Sequence, residues 1–361
     1  MKLTVSKKDF QDALRKVISE KRSTLPILTN FKLRSEENRL YIYGTDLEVY
    51  STYSILAVVE EEGEICVSSK KLVDISKVLP NTEILLNKQD NSLKVVSGKT
   101  KYSLPVVDPL DFPNFEKFPE DLAVKVISND LLKGINRTVY AASKDESRYT
   151  LNGVCFSFTD TKLDLVATDG HRLSLYKIDY KGKVEKGKYI VPLKALSELK
   201  KLLPDAVGVD IAVNGSNMFF RSENWSLQTR LLDGIFPDYT IVIPKDYLIQ
   251  IIVDRSQLLE GIKRVIVAIE ESTKPVKVDL DSSTLRISSV SDGTVAEDEL
   301  EVDYSGEHFQ IGFNGNYLID AIEEIETGEC IIEFTGKDSQ TVIKPSKETQ
   351  SYIAIVMPMN I

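Results

Sequence analysis

The sequence predicts an α+β fold made of three tandem repeats, each of about two helices and eight strands. Three observations carry this. A helix-plus-strand unit recurs at a period of about 120 residues. The stretches between helices alternate apolar and polar side chains and are rich in β-branched and aromatic residues, as strands are. The 361 residues also exceed what one hydrophobic core usually organises.

The first helix of each repeat aligns without a gap: Asp9 to Ile18, Asp130 to Val139 and Gln257 to Ile266. Apolar residues fall at Phe10, Leu14 and Val17 and again at Leu131, Ile135 and Val139, the spacing of one buried helical face. A small residue recurs at Ala13, Gly134 and Gly261, where two helices could approach closely. A basic residue follows at Lys16, Arg137 and Arg264. The second helix is expected over Ser69 to Leu79, Pro192 to Leu203 and Asn316 to Ile325, each with Ser, Pro or Asn near its start. The first two close on Leu79-Pro80 and Leu203-Pro204, since proline cannot continue a helix.

Runs such as Arg39 to Gly44, Lys162 to Ala167 and Thr284 to Ser289 read as strands. Boundaries near Pro119 to Leu122 and Pro244 to Leu248 divide the chain into domains 1–120, 121–245 and 246–361.

The net charge is −10, which alone argues against a protein coated with basic surface. The distribution is uneven, however. Five of the six helices carry fifteen basic against six acidic residues, while the sixth, 316–326, has four acidic residues and no basic one. If the helices share one side, that side is basic against a strongly acidic remainder. Phosphate contact needs Lys and Arg only at tolerant spacing, so Lys16, Lys71, Arg137, Lys201 and Arg264 are candidate helical contacts to duplex DNA. Cys66, Cys155 and Cys330 lie in separate apolar runs and read as buried free thiols in a reducing compartment. No stretch approaches a membrane span and no signal segment opens the chain, so a cytoplasmic location is expected.

The strings Thr24-Leu25-Pro26-Ile27-Leu28, Thr168-Asp169-Gly170-His171-Arg172-Leu173, Phe236-Pro237-Asp238-Tyr239 and Met357-Pro358-Met359, with the threefold repeat, resemble the bacterial DNA polymerase III beta subunit, or sliding-clamp, family over the whole chain. The resemblance implies the DNA clamp (processivity) fold. It also implies a head-to-tail homodimer ring around duplex DNA, sequence-independent binding, no cofactor, no metal and no catalysis. Its implied partners are the replicative polymerase catalytic subunit, the clamp loader and other proteins with a clamp-binding motif.

It further implies a pocket for a short hydrophobic partner peptide at Thr168, Gly170, His171, Arg172, Leu173, Pro237, Val242, Ile355, Val356, Met357, Pro358 and Met359. Asn360 stands where relatives often carry Arg, and Ile241 where a basic residue is common. Methionine suits such a pocket as a flexible filler. The resemblance adds Arg22, Arg148 and Tyr149 as DNA contacts and places Tyr102 and Leu104 against Ile269 at the dimer seam.

Residue chemistry leaves two alternatives. One is a hydrolase or other enzyme using His171 and a nearby carboxylate; the other is a repeat scaffold without nucleic acid. Against catalysis stand only two histidines, His171 and His308, and no phosphate-binding, dinucleotide-binding, nucleophile-elbow or zinc-protease motif.

Overall fold

The computed structural model describes residues 1–20, 22–182, 186–267, 269–291, 293–347 and 351–360. Among these are six α-helices: α1 (Lys7–Lys16), α2 (Ser69–Val78), α3 (Ser128–Val139), α4 (Leu193–Leu202), α5 (Arg255–Ile266) and α6 (Gly315–Glu323). Each falls where the repeat predicts it. The caps sit slightly earlier than expected. The Ser68 hydroxyl accepts from the Lys71 amide, and the Asn314 side chain from the Asn316 amide at 3.0 Å, so Ser69 and Asn316 are already helical.

The chain divides into two compact units. One comprises Met1–Asn129, Lys181–Glu185 and Lys194–Leu231; the other comprises Asp130–Tyr180, Lys186–Leu193 and Leu232–Ile361. The middle repeat contributes to both, because sheets continue from one repeat into the next.

In the first unit the Val49–Leu56 strand pairs antiparallel with the Trp225–Arg230 strand, Tyr53 opposite Trp225, within a 14-stranded sheet. In the second, the Arg172–Asp179 strand pairs antiparallel with the Tyr352–Val356 strand, Tyr176 opposite Tyr352, within an 8-stranded sheet. A separate 4-stranded sheet ends on the Thr294–Glu301 strand.

Phe10 and Leu14 of α1, Leu131 and Ile135 of α3, and Leu258 and Ile262 of α5 are buried, so the apolar face read from the spacing is the one that packs. At Gly134 and Gly261 the recurring small residue faces strand side chains rather than a second helix. A Cβ on Gly134 would lie 2.5 Å from Leu165 and 2.9 Å from Tyr176, both strand residues, so glycine lets α3 settle onto its own sheet. Cys66, Cys155 and Cys330 are free and buried, and burial pushes each thiol up to about 12.

Candidate functional site

The string Thr168 to Leu173 forms a hairpin tip in the second unit, between the Lys162–Thr168 and Arg172–Asp179 strands. Gly170 sits at φ +88°, a conformation that L side chains rarely adopt. The Asp169 carboxylate accepts from the His171 amide at 3.0 Å, the Arg172 amide at 3.1 Å and Arg172 Nε at 3.0 Å. The Thr168 hydroxyl donates to the Arg172 carbonyl at 2.6 Å and accepts from the Gly170 amide at 3.1 Å.

Arg172 is the hub of this turn. Its guanidinium also donates to Asp320 of α6 and, at 2.7 Å, to the Tyr140 carbonyl just past α3, and it lies over the Tyr317 ring at 4.3 Å. Burial works against its charge, yet Asp320 and Asp169 outweigh burial and hold the guanidinium above its ordinary value.

Leu173 and Ile355 face each other across paired strands and belong to a buried cluster with Cys155, Val166, Leu175, Ile190, Phe236, Tyr239 and Val342. Leu151, Leu232, Ile243 and Ile353 pack against its edge. Tyr239 donates to the Asp164 carboxylate at 3.1 Å, and burial raises Asp164 above the ordinary range and Tyr239 to about 12. The chain then leaves the cluster. The Met357 amide donates to the His171 carbonyl at 2.9 Å, and the Met359 amide to the Gly312 carbonyl at 2.9 Å. Met357, Pro237, Val242 and Ile241 are exposed, as is Ile235, so a buried apolar floor carries exposed apolar side chains on the connected loops.

The geometry thus brings together Thr168, Gly170, His171, Arg172, Leu173, Ile355, Val356 and Met357, with Pro237 and Val242 on the loop that Phe236, Tyr239 and Ile243 anchor. Pro358 is half-buried, and Met359 is tied to the neighbouring Phe309–Asn314 strand. Sequence reasoning missed Leu151, Val342, Phe236 and Tyr239. Phe236 and Tyr239 stood in a string already singled out, and their aromatic size flanking Pro237 was the available signal.

Several expectations need correction. Arg137 is 3% exposed, covered by the rings of Tyr176 and Tyr352 and paired with Glu326, so it presents no charge to DNA. Lys16 is half-buried and committed to Asp12 and Asp205. Lys201 and Arg264 are exposed, but pair with Glu198 at 2.6 Å and Asp298 at 2.6 Å. Of these five helical candidates, Lys71 alone makes no ion pair among the described residues; its neighbour Lys70 is likewise exposed and unpaired there.

Arg148 turns towards the hairpin, donating to the Asp169 carbonyl at 2.5 Å and pairing with Asp145 at 3.6 Å, which places it at the hairpin turn. Tyr149 and Arg22 are exposed. At the expected seam Tyr102 is half-buried, whereas Leu104 is 6% and Ile269 1% exposed, so those two fill their own core instead of standing ready for a partner.

The His171 imidazole and Asp169 form no catalytic pair, because that carboxylate is spent on two backbone amides and Arg172. No group of three or more His, Cys, Asp or Glu placed to hold a metal occurs among the described residues.

Three family models match in order: DNA polymerase III beta subunit, N-terminal domain, over 1–116; central domain over 125–238; and C-terminal domain over 240–360. The chain belongs to the DNA polymerase III beta subunit family. It is 32% identical over 349 residues to a beta sliding clamp of Pseudomonas aeruginosa, covering 95% of each chain. It is also 32% identical over 375 residues to one of Caulobacter vibrioides, covering 100% of each. A Pseudomonas aeruginosa DnaN sliding clamp solved bound to griselimycin matches with TM-score 0.95 at 31% identity, covering 100% of both chains. A Bacillus subtilis sliding clamp matches with TM-score 0.93 at 28% identity, over 100% of this chain and 99% of that one. The three repeats are therefore three tandem clamp domains, and the chain is a polymerase processivity subunit rather than an enzyme.

Proposed function

We infer that two copies of this chain close head to tail into a ring around duplex DNA and tether the replicative polymerase, the clamp loader and other peptide-bearing partners. The observation that carries the reading is the threefold clamp repeat matched along the whole chain, together with an apolar floor beside an exposed apolar rim. Domains 1–120, 121–245 and 246–361 are the repeating blocks. DNA contact falls to exposed cations, Arg22, Lys70 and Lys71 first, through phosphates and without base reading. The hairpin Thr168 to Leu173, the Pro237 to Val242 loop and the terminal strand with Met357 to Met359 receive the partner peptide. No helix among the described residues is long and apolar enough to cross a membrane, and the cytoplasm is the proposed location.

Light scattering should give a dimer, and the protein should be retained on nicked circular DNA and released when the circle is linearised. A monomer, or retention indifferent to linearisation, refutes the ring.

A further inference from the structure

The two seams between repeats inside this chain share a construction. In the first, Lys16 lies over the Tyr53 ring, 5.1 Å from its centroid, and bonds to Asp205, the third residue past α4. The Tyr53 hydroxyl donates to the same carboxylate at 2.6 Å. In the second, Arg137 lies 5.1 Å from the Tyr176 centroid and pairs at 3.4 Å with Glu326, the third residue past α6. The positions correspond: Lys16, Arg137 and Arg264 share one register of the aligned helices, and Tyr53, Tyr176 and Asp298 are each the fifth residue of their strand. A helical cation of one repeat is thus tied to the carboxylate that follows the second helix of the next.

The third repeat holds Arg264 and Asp298 at these places and pairs them with each other at 2.6 Å. Its next repeat belongs to a second copy, where the third residue past α2 is the exposed Asn81. Leu79-Pro80-Asn81 stands against Leu203-Pro204-Asp205.

Charge and register both name a second copy as the occupant of this edge. The Thr294–Glu301 strand ends its sheet, and the first residues of the Thr100–Val107 strand are paired on one side only among the described residues. Carrying the internal registers across sets Asp298 opposite Thr100 of a second copy. Glu297 then faces Lys101 of that copy and Glu299 faces Lys99.

We propose that the seam between copies lacks the helix-to-carboxylate tie that closes both internal seams, that Asn81 is the position withholding it, and that the ring parts there for this reason. The inference rests on the head-to-tail reading.

Asn81→Asp tests it, with the dimer dissociation constant measured by subunit exchange of dye-labelled protein. A partly exposed ion pair is worth about 2- to 5-fold per seam, so about 4- to 25-fold per two-seam ring. The gain should shrink at high salt and vanish in the Asn81→Asp, Arg264→Ala double variant. A dimer no tighter than wild type, or a gain that survives Arg264→Ala, overturns the proposal while leaving the ring intact. If Glu83 already supplies the charge, Glu83→Gln weakens the dimer and Asn81→Asp does not tighten it, which also overturns it. A wild-type protein that never dimerises removes the ring reading and this inference with it.

Discussion

Replacing Arg172 with glutamine removes one cation from a site where two carboxylates, a carbonyl and two aromatic rings converge. The Arg172 side chain is 10% exposed, Asp169 15% and Asp320 38%, so the first pair is largely out of water and the second only partly. Hydrogen bonds to charged groups contribute about 1.5–3 kcal/mol each when buried, and stranding a buried partner costs more than the bond itself was worth. Asp320 recovers water when freed, and Asp169 keeps its two backbone amides. These discounts leave a cost of about 2–3 kcal/mol, or about 30- to 150-fold in the local opening constant at tenfold per 1.4 kcal/mol.

Hydrogen exchange by mass spectrometry reads this directly, in peptides covering 168–175 and Ile353 to Val356. Arg172→Lys should recover less than half the protection, because an ammonium cannot fork between Asp169, Asp320 and the Tyr140 carbonyl. Exchange in Arg172→Gln within about threefold of wild type would mean that the hub does not hold the turn.

Deleting Met357 to Ile361 should abolish binding of a hydrophobic clamp-binding peptide in fluorescence anisotropy while the protein stays dimeric; unchanged affinity rejects the pocket. Lys70→Ala with Lys71→Ala should lower the slope of log affinity for duplex DNA against log salt by about 1 for each phosphate left without its lysine, with no change in sequence preference. Equal slopes would remove both from the DNA path. The Lys133 bond holds Glu326 below its ordinary value of 4.5, opposed by burial and aided by Arg137. A carboxylate lowered on folding contributes stability above its unfolded value and loses it as pH falls through the folded one. Glu326→Gln should therefore be less stable than wild type at neutral pH, and the two thermal unfolding curves should converge below pH 4.5; a constant gap contradicts the assignment.

The six helices and the threefold repeat were legible because periodicity and cap chemistry are local properties of the chain. The candidate site was legible only where a contiguous string carries part of it, as Thr168 to Leu173 carries the hairpin tip. Leu151 and Val342 reach the same cluster from distant segments, and nothing in their own neighbourhoods marks them. Arg137 was misread for a related reason. Charge can be counted along a sequence, but Arg137 is neutralised by Glu326, almost two hundred positions away, and capped by aromatic rings from two strands. Leu104 and Ile269 failed in the opposite direction: an apolar side chain beside an edge serves its own core or a partner, and only packing decides which.

The strand pairings across repeat boundaries make each repeat something other than a detachable module. A fragment cut at residue 120 would leave Val49 to Tyr53 without the Trp225 to Thr229 backbone that satisfies it. One cut at 245 would strip Arg172 to Tyr176 of its terminal strand and unroof Leu173 and Cys155. Both fragments would carry raw, apolar sheet edges of the kind that template aggregation. Chimeras that exchange whole repeats between relatives must therefore match the exposed ladder as well as the helices. Loops are the tolerant grafting sites in this chain, and repeat boundaries are not.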